Sequence, residues 1–383
     1  MRGQLEGGRH PWSVADTLDC CRDHLAPPLV TDMALLRLQA TAARLPAALT
    51  RHVYLECRLH PRADRVDLIA GVDVDARAVL AGTQPWGRWW NGRGATAPVW
   101  DRVSELSSAW LSELSPVAAG IGRVWLEFDQ RARRSGVDME PGVFVELKRS
   151  AIDGGVVRWL AVVSAAVRPL LGGEIAFNLR RRLMACASAL PGAATIPYIG
   201  VFPARSSVDL RVCAAGMSAA EVPRYLAAVG WSGNAASARR MLAVAQPDRP
   251  VIVNLDVGAS VGARLGIELM LPRRDQHRGA LGGGGRASAI LATAVENGWA
   301  DATKVASLHQ FPGRAVSWLE HELWPSRIER RVNHVKLVVR EDGLIGAKVY
   351  LHMHHVPSAM CAPPLFNRKG PLGGAAFGKA LRT

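Results

Sequence analysis

Lys336, Lys348 and Tyr350, flanked by His334 and His352, occupy alternate positions in the two halves of NHVKLVVREDGLIGAKVYLHM (333–353). In extended chain this alternation sends all five to one face, and Val335, Leu337, Val339, Ala347, Val349 and Leu351 to the other. Four upstream stretches repeat the arrangement. In 52–74, Tyr54, Glu56 and Arg58 share a face with Arg65 and Asp67; in 122–149, Trp125, Glu127 and Asp129 align with Phe144, Glu146 and Lys148. Tyr198, Asp209, Arg211 and Cys213 share a face in 197–216, as do Asn254, Asp256, Arg264, Glu268 and Met270 in 249–272. Each unit sets a cation beside other polar groups over an apolar back. Charges gathered in an interior are costly unless they are solvated, paired or bound to something charged.

Five antiparallel hairpins would position these residues. Asp342-Gly343 supplies a turn pair that tolerates positive φ in the last of them. Helical stretches separate the hairpins: 98–114, 151–190, SAAEVPRYLAAVGW opened by Ser218 with Glu221 three residues on, NAASARRMLAVAQ opened by Asn234, RASAILATAVENGW and ADATKVASLHQF. A further helix is expected near AVSWLEHELW (315–324), and residues 14–50 carry two helical stripes, the first capped by Ser13. Helices that occur only between antiparallel hairpins disfavour a doubly wound parallel sheet. About ten twisted strands tend to curl or close, and closure removes the edges. Because the helices must bury their stripes against the apolar backs, the polar faces turn inward; the competing arrangement is a one-sided sheet whose polar face is solvated. The expected fold class is α+β (α/β barrel type): a ten-stranded antiparallel β-barrel of five ββαα units, helices outside, with a polar lumen. Residues 1–50 are expected to form an N-terminal helical segment packing on the barrel, 51–356 the barrel domain, and 357–383, rich in Pro, Gly and Ala, an irregular tail. The loop 82–98 carries Trp86, Trp89 and Trp90, which either anchor it or form the lip of an aromatic site.

With 383 residues, 49% of them hydrophobic, the chain buries a core with ease. Its 47 Lys and Arg against 33 Asp and Glu give a formal charge of +14, which suits an anionic partner without choosing among nucleic acid, membrane surface, phosphates and acidic peptide. The basic residues are scattered and no nucleic-acid-binding module is present, so nucleic acid is the weaker choice. Cys20, Cys21, Cys57, Cys186, Cys213 and Cys361 form neither a C-x-x-C pair nor a regular framework, which fits a reducing, cytoplasmic setting. Arg158, Arg168 and Pro169 interrupt the most apolar helix, so no membrane span is expected. GASVG (258–262) matches a serine-hydrolase pattern but joins two strands instead of a strand and a helix. The Gly-rich LGGGGRASAIL (281–291) lacks the Lys-Ser/Thr of a phosphate-binding loop, and His352 and His354 in LHMHH lack further metal ligands.

Five successive hairpin-and-helix units closing into an antiparallel barrel, with GAKVYL (346–351), HVKLVV (334–339), VDLRV (208–212) and RLGIEL (264–269) on its strands, resemble the aromatic prenyltransferases of the ABBA or PT-barrel superfamily. The resemblance spans about residues 50–356 and rests on architecture more than on a signature. It implies transfer of an isoprenoid group from an allylic diphosphate, such as dimethylallyl or geranyl diphosphate, to an aromatic small molecule or peptide in bacterial specialised metabolism. On that model Arg58, Lys148, Arg211, Arg264, Lys336 and Lys348 hold the diphosphate. Tyr54, Trp125, Phe144, Tyr198 and Tyr350 offer ring faces to the allyl cation and acceptor. Glu56 or Glu127 orients the acceptor and removes its proton, or else simply pairs with neighbouring arginines. Four tyrosines are fewer than the family commonly uses to shield its cation. No D-D-x-x-D stretch occurs; the nearest, GVDVDAR, only alternates Asp73 and Asp75, so no cofactor is expected and magnesium is not indicated. The same barrel would also suit a terpenoid cyclase or a non-catalytic binder of an apolar anionic ligand. Lys348→Ala and Arg211→Ala are expected to stop turnover without harming the fold.

Overall fold

The computed structural model describes residues 12–46, 49, 51–83, 98–129, 140–203, 209–245, 249–276, 284–317 and 326–356. Eleven strands appear in chain order: β1 (His52–Arg58), β2 (Val66–Val72), β3 (Ile121–Phe128), β4 (Gly142–Leu147), β5 (Thr195–Val201), β6 (Leu210–Ser218), β7 (Pro250–Val257), β8 (Val261–Met270), β9 (Gly313–Ser317), β10 (Ser326–Val339) and β11 (Ile345–Val356). Neighbours pair antiparallel from β1 through β8, then β8 with β10, β10 with β11 and β11 back to β1. The result is a closed ten-stranded barrel with a polar lumen.

Closure follows from the alternation. Val53, Leu55, Leu68, Ala70, Val124, Val145, Val253, Ile267, Val335 and Val349 all point outward and are fully buried, because helices cover them. The helix Gly155–Leu171 lays Trp159, Leu160, Val163, Val167 and Leu170 on this coat, and Pro98–Leu111 adds Trp100, Val103, Leu106 and Trp110. Two indoles latch helix to strand: Trp110 Nε1 donates to the Ile121 carbonyl and Trp159 Nε1 to that of Ile196, each at 3.1 Å. The helices Val14–Cys21 and Asp32–Ala42 join the same apolar core, the first through a capping box between Ser13 and Asp16.

Two local expectations are corrected. AVSWLEHELW was expected to be helical, yet residues 315–317 belong to β9, while 318–324 lie outside the described residues. β9 pairs with the first five residues of β10, and that ladder outweighs a short, ambiguous helical pattern. β10 correspondingly begins at Ser326, and a bulge between Val332 and His334 resets its facing before the inward run His334, Lys336. The helix expected from Ser218 begins at Val222, since Ser218 ends β6; its N–H and Oγ still donate to Glu221, at 2.8 and 2.9 Å. Gly343 takes φ +76 in the β10–β11 turn, as the Asp-Gly pair requires. GASVG spans the β7–β8 turn and the first two residues of β8. The Trp86, Trp89, Trp90 cluster and the tail 357–383 lie outside the described residues.

Candidate active site

β1, β3, β5, β7 and β10 all run toward the same end of the barrel, where a cavity of about 870 Å³ opens into the lumen. Inward residues at the strand ends line it: Glu56 and Arg58 of β1, Asp67 of β2, Glu127 of β3, Arg211 of β6, Arg264 of β8 and Lys348 of β11. Its rim is built from the β1–β2 loop, the β10–β11 turn and the segment Asn297–Trp299.

Charge is closely managed here. Glu56 accepts from Lys348 Nζ and from the Tyr350 hydroxyl, with Arg58 at 3.7 Å. Burial would raise its pKa, but Lys348, Lys336 and Arg58 outweigh that and hold the carboxyl well below its ordinary value. Burial lowers the Lys348 ammonium, Glu56 opposes the shift, and Arg58, Arg264 and Lys336 add to it, leaving a pKa of about 8. Asp67 accepts from Arg58 at 2.8 Å and from Arg65 at 3.2 Å, and Asp129 pairs with Arg65. Arg211 lies over Phe202 and forks onto Asp256 with bonds of 2.8 and 3.1 Å. Lys336 donates to Asn254 at 2.9 Å and Glu268 at 3.0 Å. Besides the exposed rim residues Arg62 and Glu341, Arg264 and Glu127 line the cavity with no side-chain hydrogen bond or ion pair among the described residues. Burial pushes the Glu127 pKa up, and nearby Glu56 and Asp67 push it further.

Away from the cavity end, rings replace charges. Tyr350 stacks on His334 at 4.0 Å and Tyr54 on His352 at 4.2 Å, while Trp125 meets Tyr54 edge-on at 5.5 Å. Trp125 Nε1 donates to Glu146 at 3.0 Å, and its ring fits over Gly71, where a Cβ would come within 2.7 Å of the indole. Nearer the cavity, Phe144 meets Phe202, the ring beneath Arg211, at a right angle, while lower in the lumen Tyr198 pairs across the ladder with Glu146 and Cys213. Burial lowers His334 to about 4 and, with Arg331 beside it, His352 to about 2, so both imidazoles are neutral near pH 7. Burial also pushes the Tyr54 phenol up to about 12.

Five of the six expected diphosphate cations thus converge on or beside the cavity. Lys148 does not: β4 enters the lumen at the cavity end, so the residue after Leu147 sits at the far end, where its Nζ donates to the Ala118 carbonyl at 2.8 Å. Lys336 lies a layer below the cavity, beside a small recess it shares with Arg211 and Arg264. Sequence reasoning missed Lys304, a buried lysine that donates to the carbonyls of Arg58, His60 and Ala63 and so pins the β1–β2 loop. Its signal was a charge placed between Ala300 and Ser307 on the buried stripe of a helix. Trp299, which lines the cavity and accepts from the Ala347 N–H at 3.0 Å, left no such signal. Among the described residues, no group of three or more His, Cys, Asp or Glu could hold a metal ion, and no helix is long and apolar enough to cross a membrane.

No protein-family model matches this chain, and no curated protein matches it. Among solved structures it is similar to 6-dimethylallyltryptophan synthase from Micromonospora olivasterospora in complex with DMASPP and Trp, with a TM-score of 0.53 and 15% identity over 88% of this chain and 97% of that one. A second structure, described as 6-dimethylallyl tryptophan synthase, aligns with a TM-score of 0.49 and 14% identity over 89% of this chain and 96% of that one. The fold of this chain is the PT-barrel fold.

Proposed function

We propose that this chain is an aromatic prenyltransferase that moves an isoprenoid group from an allylic diphosphate to an aromatic small molecule or peptide. One observation carries the reading: Glu56 accepts hydrogen bonds from a cavity cation, Lys348, and from a lumen phenol, Tyr350, so the charged and aromatic parts of the lumen meet at one carboxylate. In this mechanism the allylic C–O bond breaks and its electron pair leaves with the diphosphate. Arg211, Arg264 and Lys348 counter the developing charge, with Arg58 and Lys336 behind them. The allyl cation left behind faces Tyr350, Tyr54, Trp125, Tyr198 and Phe144, which offer π density and no competing nucleophile. A ring carbon of the acceptor forms the new C–C bond, and the proton it then sheds passes to a carboxylate. Such an arenium ion is a strong acid, so even a carboxylate of depressed pKa serves, and Glu56 is the group in place. Cations supply the stabilisation that magnesium gives elsewhere, so the reaction is proposed to need no metal.

The test is incubation with dimethylallyl or geranyl diphosphate, with and without tryptophan or tryptophan-containing peptides, while following free diphosphate and product mass. Diphosphate release coupled to an acceptor gaining the prenyl mass supports the reading. Release without acceptor modification indicates a cyclase, and donor binding without release a non-catalytic binder; either result overturns it.

A further inference from the structure

The cavity is divided by charge. On β1–β3 and the residue after β3, Glu56, Asp67, Glu127 and Asp129 outnumber Arg58 and, from the adjoining loop, Arg62 and Arg65. On β6–β8, β10 and β11, Arg211, Arg264, Lys336 and Lys348 outnumber Asp256 and Glu268. Each acid of the first wall has a donor except one. Glu56 has Lys348 and Tyr350, Asp67 has Arg58 and Arg65, and Asp129 has Arg65. Glu127 has none among the described residues, although it is only 9% exposed and borders the cavity.

A carboxylate on a largely buried side chain with no protein donor faces the cavity, so what fills the cavity must supply its hydrogen bonds, and the like charges beside it strengthen that demand. A neutral N–H would satisfy its hydrogen bonding but not the excess of negative charge around it. An ammonium group would do both. Arg264, equally unpartnered on the opposite wall, is placed to take an anion. We propose that Glu127 receives a protonated amine of the acceptor, so that the barrel selects amine-bearing aromatic acceptors and keeps the diphosphate on the Arg264 side. This rests on the reading above in that the acceptor, whose proton Glu56 takes, lies within reach of the cavity wall, but not on prenyl transfer taking place.

Equilibrium binding without donor tests it. Tryptamine, 3-methylindole and indole-3-propionate share a ring system and differ in side-chain charge, and each can be titrated into the full chain by calorimetry. Tryptamine should bind tenfold or more tightly than indole-3-propionate, roughly the worth of one hydrogen bond to a charged group. Glu127→Gln should shrink that ratio toward one while affecting 3-methylindole far less. Equal binding of tryptamine and indole-3-propionate, no tryptamine binding, or an unchanged ratio in Glu127→Gln would overturn the proposal. The wild-type series decides even if the variant does not fold. A preference for tryptamine without prenyl transfer would sink only the transferase reading, and transfer without charge preference only this inference.

Discussion

The two ends of the lumen are built by one alternation rule yet differ in chemistry. At the cavity end Lys348, Glu56, Arg58 and Asp67 form a chain of ion pairs largely out of bulk water, and Arg211 pairs separately with Asp256. Toward the other end Tyr54, His52, His352 and His354 stack as rings with Trp125 edge-on to Tyr54, and burial lowers the pKa of the imidazoles. The contrast shows that an inward-facing position does not determine a residue's role. Height along the barrel does, because height sets which neighbours share the layer.

Disrupting the paired end should have the largest effect. Lys348→Ala leaves Glu56 buried beside Tyr350 without its closest cation, so it should cost about 3–5 kcal/mol of stability and lower turnover by roughly two to three orders of magnitude. Arg211→Ala should act similarly through Asp256. Both depart from the expectation that these variants spare the fold, because each cation neutralises a buried partner. Urea melts and single-turnover rates check this, and a Glu56→Gln/Lys348→Met double variant should recover most of the stability but not the rate. Arg264 sharpens the comparison from the unpaired side. Arg264→Gln should lower kcat/KM for the donor by roughly a hundredfold while shifting stability by no more than about 0.5 kcal/mol.

At the ring end effects should be smaller. Trp125→Ala or Tyr54→Ala should remove cation shielding of about 1–2 kcal/mol, slow transfer about tenfold, and raise the share of donor lost to water as prenyl alcohol; Tyr54→Phe should resemble the parent. Product partitioning by mass spectrometry reads this out. Smaller again is a pH effect. Lys348 loses its proton near pH 8, so the rate should decline above that value as one countercharge disappears, while the arginines stay charged. Lys348→Arg should move this decline out of the accessible range; an identical alkaline limb in that variant would assign it to another group. Chelation by EDTA should leave the rate unchanged.

Much of the site was legible because side-chain period in a strand is two. That rule placed Glu56, Arg58, Arg211, Arg264, Lys336, Lys348 and Tyr350 in the lumen before any coordinates. It could not separate Lys148 from Lys348, since both face inward and only strand direction assigns them to different ends. Nor could it find β9, whose five residues become a strand only through β10. Glu56 and Glu127 read alike in sequence, but one is held ionised by Lys348 while the other is pushed up by burial and by Glu56 itself.

Local alternation and helical stripes therefore determined the antiparallel hairpins, the helical coat and the polar interior, because these depend on spacings of a few residues. Only the closed barrel decided which charges pair, which rings stack and that Glu127 and Arg264 find no partner among the described residues. Contacts such as Glu56 with Lys348 join residues some three hundred positions apart, and their energies depend on register, layer and loss of water.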